Sequence, residues 1–585
     1  MSWYKLAKID TKIILTDKES QIFSFILQII RKNNLNLIPR VAGGWVRDKL
    51  LGKESNDIDI ALDTMTGAKF AKYITDYAKQ NNIEGVSAAH EIAARPEQSK
   101  HLETITMNIF GEKIEFVNLR TESYGNIKDL LSKTQDAIDN KITKLDLAQY
   151  IGESASRIPK MNFGTLQDDA ERRDLTINAM YYNIIDNKVE DPTGHGLNDL
   201  ESGILQAPGN PIERMAEDPL RVMRAIRFSS KMGFEITPEL LNALKDPKIH
   251  MLFDIMITPE RKKEEIEKIM ISRKPESGMR LLHQTGLSKY IFPLPESYKP
   301  WEMEQESPHH KYNVLDHSLK VLEEINRMML EKNVNDADRF AMNMAAFLHD
   351  IGKLDPSIQG VKEVEGKINK TYHDHQKSST DISEKFMKAL KLSNKEIEDI
   401  KTIVQYHMEP HEHGGTRTPY QLAQFVKKVG NLWDRIVDLS IADIRGTGQA
   451  KEEEFAKKEE YRKRLQSINP ERVLQLKPLL SGNDLMTLLN IKPGKELGVI
   501  IQNLKEWQLQ EYIKRGDIPS REEEETYIFN KFIKPFLNGN EVMVLLNISP
   551  GKQLGEIIKD LLNKQKNREI TTKEQAEQYL LSKYK

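Results

Sequence analysis

The sequence predicts an α+β protein in which a small mixed sheet near the N-terminus is followed by all-α domains. Residues 57–62 alternate polar and apolar side chains, and residues 102–110 and 113–119 form a predicted hairpin, so both segments favour strands. From residue 166 onward, apolar residues recur mainly at helical spacing. A chain of 585 residues is too long for one hydrophobic core, so several domains are expected.

The composition narrows the function classes. Apolar residues make up 39% of the chain and charged residues 30%, and no run approaches the ~18 apolar residues of a membrane span. The absence of cysteine excludes disulfides and thiolate zinc sites, and residues 1–12 lack the apolar core of a secretory signal. A cytoplasmic location is therefore expected. With a net charge of −2, any nucleic-acid surface must be a local basic patch.

The stretch from Val41 to Asp63 carries the strongest chemical signal. Strand alternation places Asp57 and Asp59 on one face, about 6 to 7 Å apart. Such carboxylates repel each other unless a cation lies between them, and oxygen ligands of this kind suit Mg²⁺. The pair Gly43-Gly44 lets backbone N–H groups approach a triphosphate, so the stretch indicates nucleotidyl transfer with two metal ions. The alternative is a solvated strand face beside a tight turn.

The same stretch resembles a known family. The letters G-G-W-V-R-D at residues 43–48, L-L-G at 50–52 and D-I-D at 57–59 resemble motif A of the class II tRNA nucleotidyltransferases. This family includes the CCA-adding enzymes and the bacterial poly(A) polymerases. The resemblance implies that Asp57 and Asp59 hold two Mg²⁺ and that Gly43, Gly44 and Arg47 bind the nucleotide. Asn56 stands where a histidine is common, which leaves both presumed metal ligands intact.

The predicted hairpin adds two expectations. Glu115 lies on its second arm, in a strand that can pair beside Asp57 and Asp59, so Glu115 is a candidate third carboxylate of the metal site; a surface acid is the alternative. Residues 95–104 precede the hairpin as a predicted mobile loop. This loop resembles one that eukaryotic-type CCA-adding enzymes carry, which favours addition of the full CCA sequence.

Residues 168–180 have helical spacing with a basic pair near the middle. Arginine offers fixed donor forks for phosphate oxygens, and Asp174 and Asn178, four residues apart on one predicted helix face, can hold a ribose. The pattern R-R-D-x-x-x-N-A resembles motif B of the family. It implies that Arg173, Asp174 and Asn178 bind the nucleotide.

Residues 217–228 suggest recognition of the base. Asp218 lies three residues before Arg221, so the two share a predicted helix face. A carboxylate accepts from the exocyclic amine of C or A, and arginine donates to ring acceptors beside it. Alternatively, Asp218 before Pro219 is an N-cap, and both roles can hold. The pattern E-D-x-x-R resembles motif D, and Arg224 and Arg227 continue a basic patch assigned to nucleotide binding.

A second chemical centre is predicted between residues 309 and 413, which contain nine of the 14 histidines. Imidazoles and carboxylates together hold divalent cations that activate water for attack on a phosphate ester. The spacing resembles the HD metal-dependent phosphohydrolases, with His317, His349, Asp350 and Asp443 as implied ligands of a divalent transition metal or Mg²⁺. Two further histidines, His375 and His407, stand where some HD proteins bind a second metal.

The tail contains a duplication. The segment 477–498 recurs as 534–555, each copy predicted as two short helices joined at Pro-Gly. The fingerprint resembles the C-terminal element of HD-containing tRNA nucleotidyltransferases, in which one copy is usual. The expected domains are a nucleotidyltransferase head at 1–165, a helical neck and body at 166–300, an HD domain at 301–450 and a helical tail at 451–585.

Three functions follow as hypotheses. The first is addition of CCA to tRNA from CTP and ATP, without a nucleic-acid template, with an HD phosphatase or 2′,3′-cyclic phosphodiesterase acting on RNA ends. The second is a poly(A) polymerase of the same chemistry. The third is an RNA phosphohydrolase whose head only binds RNA. No membrane partner is expected, and the oligomeric state is left open.

Overall fold

The computed structural model describes residues 8–55, 57–88, 90–92, 104–123, 126–153, 160–306, 311–364, 367–413, 415–449, 451–567 and 569–585. The chain divides into two compact units, one of Met1–Met408 with Asp438–Ala450 and the other of Glu409–Val437 with Lys451–Lys585. Among the described residues, no helix is both long and apolar enough to cross a bilayer.

The first unit begins with a seven-stranded sheet. Its strands in chain order are β1 Arg40–Ala42, β2 Ile58–Leu62, β3 His90–Ile92, β4 Thr104–Ile109, β5 Glu112–Asn118, β8 Tyr181–Asn183 and β9 Lys188–Glu190. The intervening strands β6 Arg120–Ser123 and β7 Lys160–Phe163 form a separate small pair. The order across the sheet is β3-β4-β5-β2-β1-β8-β9. Only β2 and β5 run parallel among these pairs, so the predicted mixed sheet and hairpin are confirmed. The sheet continues past residue 165, where the sequence analysis ended the head.

Seven helices accompany the sheet. They are α1 Asp17–Lys32, α2 Gly44–Leu50, α3 Gly67–Gln80, α4 Ile127–Ile138, α5 Lys144–Glu153, α6 Leu166–Glu171 and α7 Gly196–Ser202. Helix α1 starts with a capping box formed by Thr16 and Glu19. The Glu19 carboxylate also accepts from Trp45 Nε1 of α2 at 2.9 Å, and the Trp45 ring is buried against Phe23. These contacts fix α2 behind the glycine pair.

The neck and body are helical with one small exception. The helices are α8 Pro211–Glu217, α9 Arg221–Met232, α10 Pro238–Lys245, α11 Pro247–Met256, α12 Pro259–Met270 and α13 Pro275–Gln284. Helices α10 and α12 begin at Pro238 and Pro259, a position that suits proline because it lacks only an N–H that is unsatisfied in a first turn. The exception is a parallel pair of two-residue strands, β10 Ile204–Leu205 and β11 Glu235–Ile236, so this region is not entirely α.

The next part of the first unit carries the helices α14 Val314–Glu331, α15 Asp336–Leu348, α16 His375–Ala389 and α17 Asn394–Tyr406. The all-α prediction is wrong here, because β12 Gln359–Val364 and β13 Lys367–Tyr372 form an antiparallel hairpin. In this segment Val361, Ile368 and Tyr372 stand among polar residues without a helical apolar stripe, which is the pattern of exposed strands. Helices α18 Glu409–His413 and α19 Pro419–Val429 belong to the second unit, and α20 Trp433–Gly446 has its first residues in the second unit and the rest in the first.

The second unit takes residues 409–437, which the sequence analysis had placed with the HD domain. Helix α19 packs on α21 Glu452–Ser467 and α22 Pro470–Gln475, and Lys427 Nζ donates to Leu476 O at 2.8 Å. The remaining helices are α23 Gly482–Leu489, α24 Lys495–Arg515, α25 Arg521–Phe532, α26 Gly539–Leu546, α27 Lys552–Lys566 and α28 Lys573–Tyr584. Sequence-distant contacts, rather than local patterns, decide this boundary.

The duplicated tail segments have matching structures. Asn490 and Asn547 both adopt the left-handed conformation at the end of the first helix of their copy. Gln508 Nε2 donates to Lys477 O at 2.9 Å, and Gln565 Nε2 donates to the matching Lys534 O at 3.3 Å. A third helix completes each core, α25 in the first copy and α28 in the second. The repeat is therefore a three-helix module, and its second helix is longer than predicted.

Candidate active sites

An open cavity of about 600 Å³ in the first unit brings the head residues together with the start of α9. Twelve of the thirteen residues predicted for the nucleotide and its metals line it. They are Gly43, Gly44, Arg47, Asp57, Asp59, Arg173, Asp174, Asn178, Asp218, Arg221, Arg224 and Arg227. The sequence separates these residues by up to 184 positions, so the fold, not local order, assembles the site.

The two aspartates of motif A lie at the edge of this cavity. Ile58 and Ile60 of β2 are buried in the core, so the intervening Asp59 points to the opposite face, and Asp57 lines the same cavity. Burial raises the pKa of Asp59 to about 6, and the carboxylates of Glu115 and Asp57 add to this shift. A cation at this position would relieve both the burial cost and the repulsion.

Glu115 occupies the position that the hairpin predicts. It stands directly opposite Asp59 in the parallel pairing of β2 and β5. Its carboxylate forms an ion pair with Lys113, with Nζ and Oε1 2.5 Å apart. Glu115 is not among the residues that line the cavity, so its role as a third metal ligand stays a prediction.

The glycine pair has a steric role at the cavity. Gly43 has φ +72° and precedes α2, and a Cβ at this position would lie 2.7 Å from Arg173 Nη1. Arg173 Nη1 donates to Asn178 O at 3.1 Å, so its side chain is held where any larger residue at 43 would collide with it. The close approach therefore places a guanidinium beside the backbone of the glycine turn.

A chain of hydrogen bonds connects the nucleotide-binding candidates. Arg47 Nη1 donates to Asn178 Oδ1, Asn178 Nδ2 donates to Asp174 Oδ1 at 3.0 Å, and Arg224 Nε donates to Asp174 Oδ2 at 2.7 Å. Burial alone would raise the pKa of Asp174, but the Arg224 guanidinium and these hydrogen bonds hold it at about 2. Asp174 is therefore ionised, and it fixes two donors that face the cavity.

The predicted helix over residues 168–180 is wrong. Helix α6 ends at Glu171, and a separate 3₁₀ turn spans Thr176–Asn178. The Asp174 carboxylate accepts from the backbone N–H of Leu175, and such local side-chain bonds compete with helical hydrogen bonds. Asp174 and Asn178 still meet, but through the turn and not through a shared helix face.

The predicted helix face shared by Asp218 and Arg221 is also wrong. Asp218 is extended, with φ −140° and ψ 97°, at the end of α8, and α9 begins only at Arg221. Pro219 disfavours a helical conformation for the residue before it, which explains the break. The Asp218 carboxylate accepts from Leu220 N at 3.2 Å, so the N-cap-like alternative describes its local contact better.

Arg221 is held by other partners. Its Nη1 donates to Glu217 Oε2 at 2.8 Å and to Arg214 O at 2.9 Å, and its Nη2 donates to Arg172 O at 2.8 Å. Arg221 is buried. These hydrogen bonds connect α9 with α8 and with the backbone at Arg172, and the Arg221 side chain also lines the cavity.

Sequence reasoning missed Arg261, which lines the cavity and contacts a predicted site residue. Arg261 of α12 reaches Asp218, with Nη2 and Oδ2 3.2 Å apart. The sequence does not indicate this contact, because nothing in the local pattern points to a partner 43 residues earlier. The loop predicted at residues 95–104 lies outside the described residues except for Thr104.

The predicted HD ligands form a second, buried cluster in the same unit. Ligand atoms of His317, His349, Asp350 and Asp443 all lie within 4.8 Å of one another, and so do those of Asp350, His375 and His407. Asp350 belongs to both groups: its Oδ2 lies 3.2 Å from His317 Nε2, and its Oδ1 lies 3.1 Å from His375 Nε2. The two groups would offer ligand atoms for one or two divalent cations, with Asp350 available to both groups.

Backbone carbonyls select the histidine tautomers. The Nδ1 atoms of His349, His375 and His407 lie 2.9, 3.1 and 2.6 Å from the carbonyl oxygens of Ala346, Tyr372 and Val404. A carbonyl oxygen only accepts, so each Nδ1 carries a proton, and each Nε2 offers a lone pair to a metal when it carries no proton of its own. This is the donor set that a divalent cation requires.

The electrostatics of this cluster also favour a cation. Burial would lower the pKa of His349, but the carboxylates of Asp350 and Asp443 outweigh burial and raise it to about 10. For His407, burial and the neighbouring His349 and His375 push the pKa well below its ordinary value, so its ring is neutral. Asp350 also lies 2.6 Å from Nζ of the buried Lys353, a site residue that the sequence analysis did not select.

Three family models match the chain. They are the poly A polymerase head domain over residues 39–206, the HD domain over residues 314–443, and a probable RNA and SrmB-binding site of polymerase A over residues 233–299. The first match includes β8 and β9, in agreement with the extended sheet. The second contains all six histidine and aspartate ligand candidates.

Similar proteins cover most of the chain. The mitochondrial CCA tRNA nucleotidyltransferase of Saccharomyces cerevisiae is 31% identical over 500 residues, which cover 80% of this chain and 84% of the relative. The mitochondrial CCA tRNA nucleotidyltransferase of Candida glabrata is 30% identical over 555 residues, covering 90% and 97%. The crystal structure of the Bacillus stearothermophilus CCA-adding enzyme with CTP has a TM-score of 0.52 at 17% identity, covering 88% of this chain and 98% of that one. This last likeness concerns the fold.

Proposed function

This chain belongs to the CCA tRNA nucleotidyltransferase family, and on that premise we propose that it adds C, C and A to the 3′ end of tRNA from CTP and ATP. The observation that carries the proposal is the single cavity lined by the Asp57 and Asp59 pair, the glycine turn and Asp218. Metal ligands, a triphosphate seat and a base acceptor are the three parts that the reaction needs.

Different residues of the cavity bind the triphosphate and the metal ions. The side chains of Arg173 and Arg224 and the glycine turn bind and orient the triphosphate. The carboxylates of Asp57 and Asp59 fit Mg²⁺, because burial, together with the neighbouring carboxylates of Glu115 and Asp57, raises the pKa of Asp59 to about 6, and a cation would offset both effects. Two bound Mg²⁺ would supply activation of the tRNA 3′-hydroxyl and stabilisation of the pyrophosphate that leaves.

Selection of the nucleotide falls to Asp218. Its carboxylate accepts hydrogen bonds, and among the four nucleotides C and A present an exocyclic amine where U and G present a carbonyl. Arg221 lines the same cavity and completes the proposed reading of the base. Because protein side chains recognise the base, no nucleic-acid template is required.

A tRNA that ends at the discriminator base tests the function directly. We expect it to gain two residues from CTP alone, none from ATP alone, and CCA from both, after which addition stops. Gel electrophoresis of labelled products resolves each step. Continuous extension with ATP alone would instead identify a poly(A) polymerase. No addition under any condition would leave an RNA phosphohydrolase whose head only binds RNA.

The buried histidine cluster supports a second activity, phosphohydrolysis. The six candidate ligands fit one or two divalent cations, either Mg²⁺ or a transition metal, which would supply a bound water of lowered pKa. The proposed substrates are phosphate monoesters and 2′,3′-cyclic phosphates of RNA ends or nucleotides. Hydrolysis of 2′,3′-cyclic AMP and of p-nitrophenyl phosphate, with Mg²⁺, Mn²⁺, Co²⁺ or Ni²⁺ added back after chelation, tests both the activity and the metal.

The Mg²⁺ requirement of nucleotide addition is expected to depend on pH. The raised pKa of Asp59, about 6, means that a proton competes with the metal up to that pH. Below pH 6 the half-saturating Mg²⁺ concentration is therefore expected to rise about tenfold per pH unit, and above pH 7 it is expected to stay constant. Titrating Mg²⁺ at pH 5, 6, 7 and 8 measures this. A half-saturating concentration that does not change across this range would contradict the assignment of Asp59.

The location is a separate question. The cytoplasmic location expected from the sequence stays a prediction, since two relatives are named as mitochondrial enzymes. Fluorescence microscopy of the tagged full chain in its host cell distinguishes the two compartments.

A further inference from the structure

Helix α12 contacts the base-reading side of the cavity through two residues one turn apart. Arg261 Nη2 lies 3.2 Å from Asp218 Oδ2, and Glu265 Oε2 lies 3.0 Å from Arg227 Nε. Glu265 is buried, whereas the Arg261 side chain is 42% exposed and lines the cavity. One face of α12 therefore contacts both the end of α8 and the middle of α9.

The orientation of the Asp218 side chain depends on contacts with other elements of the fold. This residue lies in extended backbone between α8 and α9, so helical packing does not fix its side chain. The contacts of its carboxylate are the N–H of Leu220 at 3.2 Å and Arg261 Nη2, at 3.5 Å from Oδ1 and 3.2 Å from Oδ2. An ionised carboxylate offers about four acceptor positions, so these contacts leave room for an exocyclic amine.

We propose that Arg261 is a positioning residue for base selection: it holds the Asp218 carboxylate in the orientation that accepts the amine of C or A. The proposal rests on the function proposed above, and it assigns part of nucleotide selectivity to the body of the protein, 43 residues beyond Asp218. A carboxylate free to rotate would lose acceptor geometry and discriminate less against U and G, because hydrogen bonds weaken steeply with misalignment.

The far end of α12 explains how Arg261 can act as a fixed support. Buried Asn343 of α15 donates through Nδ2 to Met270 O, the last residue of α12, at 2.7 Å. Arg339 Nη2 donates to the next carbonyl, of Ile271, at 2.7 Å. These bonds satisfy carbonyls that a helix end leaves without internal partners, and they anchor α12 against α15. Arg261 therefore projects from a helix held at its opposite end.

The test compares correct and incorrect incorporation by the full chain. Arg261→Met keeps an unbranched side chain as far as the position of Nε and removes the donors, and we expect the preference for CTP and ATP over UTP and GTP to fall about tenfold. Arg261→Lys is expected to retain an intermediate preference, because a single nitrogen of Arg261 contacts Asp218 and lysine offers one nitrogen. Lys268→Ala, an exposed change on the same helix, is the matched control and is expected to leave the preference unchanged.

A double-mutant cycle separates positioning from a general structural role. In an Asp218→Asn background the carboxylate is already gone, so adding Arg261→Met is expected to change selectivity less than twofold. Equal losses of correct and incorrect addition by Arg261→Met, or a raised KM for tRNA with unchanged selectivity, would overturn the proposal. Failure of the native chain to add C, C and A would instead overturn the proposed function, so the two failures are distinguishable.

Discussion

Replacing Asp59 by asparagine is expected to lower the rate of nucleotide addition on the order of 10³-fold or more, while leaving hydrolysis at the histidine cluster unchanged. The amide keeps the shape of the side chain and its position on β2 but removes the charge that the metal requires. The two candidate centres share no residue, so the loss should be confined to addition. Asp57→Asn is expected to have the same effect, because the two carboxylates act as a pair.

The same substitution is expected to stabilise the metal-free protein at neutral pH. The folded-state pKa of Asp59, about 6, lies above the unfolded value of 3.8, so the folded chain binds this proton more tightly. The free energy of unfolding of the metal-free protein therefore decreases by at most about 3 kcal/mol as the pH rises from about 4 through 6 and Asp59 loses its proton. Asparagine has no proton to lose, so its advantage should grow across this window and remain constant above it.

Thermal unfolding in EDTA at pH 4, 5, 6 and 8 measures the stability difference, and single-turnover addition to tRNA at pH 8 measures the rate. Asp76→Asn, an exposed change on α3, is the matched control and should alter neither quantity. Near-native addition by Asp59→Asn would show that this carboxylate does not hold a catalytic metal. A stability difference that is the same at all four pH values would show that its pKa is not raised.

The contrast between these aspartates and Asp218 explains which parts of the site were predictable. The placement of Asp57 and Asp59 follows from strand alternation, a rule that acts over a few residues. The predicted pairing of Asp218 with Arg221 failed because Pro219 breaks the helix, and the actual partner of Asp218 is supplied by α12. Such a contact depends on how distant helices pack, which residue spacing does not encode.

The same distinction applies to the fold. The starts of α10 and α12 were predictable because proline marks a first turn locally. The assignment of β8 to the head sheet depends on its pairing with β1, across more than 130 residues, so it became visible only in the structure. The third helix of each tail module does repeat in sequence, with Tyr527 and Lys531 of α25 matching Tyr579 and Lys583 of α28, but its spacing from the first two helices differs between the copies, so the predicted repeat ended too early.

Replacing His349 by asparagine is expected to reduce phosphohydrolysis on the order of 10²-fold or more and to leave CCA addition within about twofold of the native rate. The asparagine amide can replace the Nδ1–H that donates to Ala346 O, so the local fold should persist, but it offers no equivalent of the Nε2 ligand. Metal content by mass spectrometry after dialysis should fall together with hydrolysis. His373→Asn, an exposed change outside both ligand groups, is the matched control.

The number of metals follows from a second substitution. His407 belongs only to the group that it forms with Asp350 and His375, so His407→Asn is expected to remove one metal per chain and leave the other bound. If His349→Asn hydrolyses phosphate esters at the native rate, the cluster is a structural site and not a catalytic one. If instead it loses CCA addition together with hydrolysis, the two centres depend on each other. Independent loss would show that the buried cluster and the head cavity, which share no residue, act as separate catalytic sites.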